Sequence, residues 1–168
     1  MPAIYFIPII YCASAMQAWL AIAWRGPAPD LLALVAFTWF ALAQQRREAN
    51  GSDLLFLAAA GLVADMNSQG PLGIGVAAYV AAGAGLLWLN RRLVLHRVPG
   101  QVATIGLAAL TINLLTGIAL RFAGQLPLAW HQLITRSATI GLFTALAAAP
   151  LLMLLSWRIK SASLAGIN

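Results

Sequence analysis

Four acidic side chains, two histidines and one cysteine are nearly all that 168 residues offer for acid–base, nucleophilic or metal chemistry. The acids are Asp30, Glu48, Asp53 and Asp65. No two stand at a spacing that suggests paired general acid–base work. The sequence holds no Ser-His-Asp set and no HExxH motif. His96 and His131 fall in different connectors, so they cannot share a metal. Neither a metal site nor a cofactor is expected, and the chain reads as a non-enzyme. Cys12 lies inside the first apolar run, where a buried structural thiol is expected, and a lone cysteine makes no intramolecular disulfide. Glu48 beside Arg46 and Arg47 reads as a solvated loop charge.

Asp65 is the exception worth pursuing. It closes an apolar run and precedes Met66-Asn67-Ser68-Gln69-Gly70-Pro71-Leu72-Gly73, after which a second apolar run begins. Acids within apolar segments are functional candidates by default. Two occupations are open to it: a polar anchor for a partner or ion, or a helix-terminal acid that stabilises the Gly70-Pro71 turn. Asn67, Ser68 and Gln69 can satisfy turn backbone, and Gly70, Gly73 and Gly75 suit a tight turn or a close helix approach. The glycine spacing is not a nucleotide-binding fingerprint, because no soluble strand precedes it. Thr111, Asn113 and Thr116 sit mid-segment, where bonding to neighbouring helices is expected.

The elements that must carry these residues are apolar helices. The chain is 62% hydrophobic and 8% charged, against about 25% charged in soluble domains. A polytopic membrane protein follows, with room for no sizeable soluble domain. The net charge of +6 is spread over segment ends rather than gathered in a nucleic-acid patch. Six segments emerge: Ala3–Trp24, Leu31–Gln45, Asp53–Asp65, Leu72–Leu89, Gln101–Phe122 and Leu133–Trp157. The third is short for a crossing of about 20 residues. Asp30 and Asp53 are N-cap candidates. Pro8 falls in the first turns of its helix, and Pro150 lies inside the sixth. The expected architecture is all-α: one bundle of six transmembrane helices over residues 1–160, and a short mobile tail over 161–168. The N-terminus has no basic region before its apolar run and reads as a retained span.

With six crossings, one side holds Arg46, Arg47, Arg91, Arg92, Arg97, Arg158 and Lys160, and the other Arg25, Arg121 and Arg136. That bias places both termini in the cytoplasm. Tryptophans gather near segment ends, as interfacial belts do. Small residues at Ala77, Ala81 and Gly85, at Ala78 and Ala82, and at Gly141, Ala145 and Ala149 make stripes for close helix approach. Packing within the bundle or docking to another membrane subunit would each use them.

The run Gly61-Leu62-x-x-Asp65-x-x-Ser68-x-Gly70-Pro71-Leu72-Gly73, with an Ala-rich helix bearing Tyr79 behind it, resembles the signature hairpin of MreD, the rod shape-determining membrane protein family. Pro29-Asp30-Leu31-Leu32 and the basic close at Arg46-Arg47 also resemble that family, as does the six-span plan. The resemblance covers chiefly Pro29 to Gly85. The segment before Asp65 departs from the pattern by being Ala-rich, and the fifth and sixth segments carry no motif. The resemblance implies a non-enzymatic scaffold in the bacterial inner membrane, acting in cell elongation and peptidoglycan synthesis. Its partners would be MreC, the MreB filament and the elongation glycosyltransferase/transpeptidase pair, with Asp65, Ser68, Gly70, Pro71, Leu72 and Gly73 as the hairpin site. The family's six-helix arrangement is similar to that of substrate-binding components of energy-coupling-factor vitamin transporters. That similarity opens an alternative, a small-molecule transporter subunit lined by Asp65, Asn67, Asn113 and Arg121.

Overall fold

The computed structural model describes residues 6–23, 28–45, 51–68, 71–92 and 98–164. They form α1 (Phe6–Ala23), α2 (Leu31–Gln45), α3 (Gly51–Asn67), α4 (Ile74–Arg92), α5 (Val98–Phe122) and α6 (Trp130–Leu164), with no strand among the described residues. The second segment matches its expected bounds. The third is corrected: α3 has 17 residues and runs through Asp65 to Asn67. Its polar ends are wound into the helix, so Asp53 belongs to the first turn rather than the cap. The sixth is also longer than its apolar stretch, since α6 continues to Leu164. Residues 161–164 of the expected tail are therefore helical, and 165–168 lie outside the described residues. Pro150 is carried inside α6.

A helix that is apolar all round belongs in the middle of a bundle, and α2 takes that place. It packs against α1, α3, α5 and α6, while α3 meets α4, α4 meets α5 and α5 meets α6. Phe37 and Phe40 of α2 are buried and meet edge to face at 6.1 Å. Phe37 also lies 6.1 Å from the buried ring of Tyr79 on α4. The inward stripe of α4 is Ala78, Ala82 and Leu86. Small residues bring α5 and α6 together: a Cβ on Gly106 would stand 2.7 Å from that of Ala145 and 3.1 Å from the Gly141 carbonyl. Gly141 and Ala145 thus serve packing within the bundle. Cys12 corrects its expectation. It is exposed, because α1 turns Ile10, Ala13 and Ser14 inward and Cys12 falls on the other face.

Large apolar side chains are exposed along much of the described bundle. Leu142, Leu146, Met153, Leu154 and Trp157 of α6 are all exposed. Helix α5 and the Trp130–Trp157 stretch of α6 are long and apolar enough to cross a membrane. Helices α2 and α3, at 15 and 17 residues, rise roughly 22 and 25 Å.

The helices do not end at one level. Asp30, at the head of α2, bonds to Asn113 and to Thr144. Beyond those contacts α5 continues for nine residues and α6 for fourteen, roughly 14 and 21 Å. Asn67, the last residue of α3, bonds to Ser14, and α1 continues nine residues past that point, roughly 14 Å. The start of α2 and the end of α3 therefore lie short of the ends of α1, α5 and α6.

Candidate functional site

The hairpin begins with a helix that cannot cap itself. The Gly73 carbonyl accepts from the Ala77 N–H at 2.9 Å, which makes Gly73 the N-cap of α4. A glycine has no side chain to receive the free N–H groups of the first turn. Asp65, near the end of α3, supplies the missing carboxylate. Its Oδ2 accepts from the N–H of Gly73 at 2.8 Å and of Val76 at 3.2 Å, and its Oδ1 from that of Gly75 at 2.7 Å. The negative charge also sits at the positive end of the α4 dipole.

Glycine is required at three points of this clasp. Gly73 has φ +102°, which side chains rarely tolerate. A Cβ on Gly75 would stand 2.6 Å from Asp65 Oδ1 and 2.8 Å from the Gly61 carbonyl oxygen. A Cβ on Gly61 would stand 2.6 Å from the Val76 Cα. Gly61, Asp65, Gly73 and Gly75 are thus one device that clamps α3 to α4.

Of the two occupations open to Asp65, the geometry gives it the capping one. It is 4% exposed and acts on its surroundings through the turn that it holds. Ser68 donates its hydroxyl to the Asp65 carbonyl at 3.0 Å. Pro71, Leu72 and Gly73 are exposed, Leu72 at 74%, so these are the hairpin residues available for contact. Gly70 lies outside the described residues. Ala77, Ala81 and Gly85 are exposed too, and a Cβ on Gly85 would meet nothing within 4 Å. Packing within the bundle is corrected for that stripe. Its neighbour, Ala78 and Ala82, faces the core.

A second polar cluster forms at the head of α2. Asp30 is its N-cap, as the sequence suggested: its carbonyl accepts from Leu34 at 2.8 Å and its Oδ1 from the Ala33 N–H at 2.9 Å. Gln17 Oε1 accepts from the Leu32 N–H at 3.1 Å. Asn113 Nδ2 donates to Asp30 Oδ2 at 3.1 Å, and the Asp30 N–H donates to Thr144 Oγ1 at 2.9 Å. The first turn of α2 is thereby tied to α1, α5 and α6 at once. Asn113 stood out as a polar residue within an apolar run, whereas Gln17 and Thr144 did not. Nor did their common target, because three helices converge on it from distant parts of the chain.

The four residues suggested as a transporter lining do not converge. Asp65 caps α4, Asn67 bonds to Ser14 and to the Val63 carbonyl, and Asn113 serves Asp30. Arg121 stacks over Trp130 at 4.5 Å. Thr111 bonds back to Leu107 in its own helix. Thr38 Oγ1 is buried on α2 with no hydrogen-bond partner among the described residues. His131 is exposed at the start of α6, and His96 lies outside the described residues. No protein-family model, curated protein or solved structure matches the chain.

Proposed function

We propose that the chain is a non-enzymatic scaffold of the bacterial inner membrane that works in cell elongation and captures MreC and other elongation subunits by helix packing. On this reading all six helices cross the bilayer, both termini are cytoplasmic and the α3–α4 turn faces the outer side. The observation that carries the reading is the Asp65 clasp. Gly61, Asp65 and Gly73, which belong to the run that resembles MreD, are joined with Gly75 in one clasp, and Pro71 and Leu72 beside it are exposed. A scaffold needs such a fixed, exposed feature more than it needs reactive groups. The exposed apolar face of α6 and the outward small-residue stripe of α4 add surfaces suited to lipid and to a partner's span.

The test is to tag the C-terminus, solubilise membranes gently and identify what co-purifies by mass spectrometry. The expected result is MreC with the elongation synthases. Recovery of an ATPase pair with a coupling subunit, or of a bound vitamin, would overturn the scaffold reading in favour of a transporter subunit.

A further inference from the structure

We infer that the end of the α5–α6 hairpin carries a site for the headgroup of an anionic lipid, built on the Arg121 guanidinium where it stacks on Trp130. The inference rests on the membrane-spanning reading proposed above, and needs it only for α5 and α6, both long and apolar enough to cross.

Helix α5 closes in a defined cap. The Gly124 N–H donates to the Arg121 carbonyl and the Gln125 N–H to that of Leu120, both at 3.0 Å, with Gly124 at φ +71°. Glycine suits that left-handed position after a helix. The cap sets Arg121 in the last turn of α5, and Trp130 opens α6 beside it. The guanidinium carbon lies 4.5 Å from the Trp130 ring centroid. Phe122 meets the same ring edge to face at 6.5 Å. Stacking engages the flat face of a guanidinium and leaves its in-plane N–H groups free to donate. A planar fork held in this way matches two oxygens of a phosphate.

The chain brings no anion of its own to this end. No Asp or Glu follows Asp65, so the α5–α6 hairpin has cations and no acid. Asp30, which is tied to the hairpin, is buried and serves Asn113 and its own helix. Depth favours a headgroup. Helix α5 has 25 residues and rises roughly 38 Å, more than the ~30 Å of a hydrocarbon core, so its last turn reaches the phosphates. Phe122 and Trp130 are exposed there, as interfacial rings are. Arg136 is also exposed, but it lies six residues beyond Trp130, roughly 9 Å further into the span. A zwitterionic headgroup would bring an amine that no acid here receives. A phosphodiester without an amine fits the charge.

In the experiment, the full chain is purified in mild detergent and shown to be monodisperse. It is then titrated with phosphatidylglycerol or with phosphatidylcholine of the same acyl chains, and bound lipid is counted by native mass spectrometry. The expected result is a several-fold preference for phosphatidylglycerol that is lost in Arg121→Gln and largely kept in Arg136→Gln. Trp130→Leu leaves the charge unchanged and should lower the preference by removing the platform. No preference in the wild type, equal loss in the two arginine variants, or an unaltered Trp130→Leu would overturn the site. Displacement of the bound lipid by inorganic phosphate alone would also overturn it, since the ligand would then be a free anion. Release of the chain from native membranes by alkaline carbonate would instead sink the membrane-spanning reading. The lipid counts do not involve MreC, so their failure leaves the scaffold reading to its own test.

Discussion

At the scale of single residues, Asp65 shows how an acid in an apolar chain becomes structural. Its two oxygens receive three backbone N–H groups at the start of the next helix, and the Gly75 donor among them is buried. Removing the carboxylate costs the cap and leaves the donors unpaired, about 3 kcal/mol together. Asp65→Ala is expected to lower the melting temperature in detergent by roughly 5–10 °C. Asp65→Asn, which keeps one acceptor oxygen, should lose less. A differential scanning fluorimetry trace for Asp65→Ala that overlays the wild type would refute the clasp. The sequence exposed Asp65 because acids are rare in this composition, and the turn because a polar run and Gly70-Pro71 interrupt the apolar pattern. It did not reveal which backbone groups the carboxylate serves. That depends on Gly73 occupying the cap position with no side chain of its own, and a glycine can play several other parts in a turn.

At the scale of elements, hydropathy located all six helices and gave α2 its bounds, because apolar runs are separated here by clear polar and Gly/Pro breaks. The ends of α3 and α6 were harder to read. Hydropathy reports burial, whereas a helix stops where its backbone bonds stop, and both helices continue through polar residues. Stripe patterns were ambiguous for a related reason. Ala77, Ala81 and Gly85 have the same spacing as the stripe beside them, and only the position of α3 and α5 decides that Ala78 and Ala82 face inward. Close approach of α3 and α4 is a property of the pair, and Gly75 tests it. Gly75→Ala puts a methyl into the Gly61 carbonyl and the Asp65 carboxylate. Gly85→Ala adds the same methyl where nothing stands within 4 Å. Gly75→Ala is expected to destabilise by about 1–3 kcal/mol, with Gly85→Ala close to neutral. Equal thermal stability of the two variants would contradict the close crossing.

At the scale of the whole molecule, buried and exposed chemistry are divided in an unusual way. Polar residues meet at two inner points, the head of α2 and the start of α4, while large apolar side chains cover the outside. That distribution suits a bilayer, where backbone groups must be satisfied internally and the surface need not attract water. The arrangement leaves Pro71, Leu72 and Gly73 exposed beside the clasp, and the scaffold reading assigns partner capture to them. The most direct measurement is quantitative capture of MreC by the tagged protein and by its Leu72→Glu variant, both shown to be monodisperse and equally stable. Leu72 is 74% exposed, so the substitution leaves the core untouched. Most of the MreC signal should be lost in the variant. Equal capture by the two proteins would contradict a scaffold that works through this hairpin.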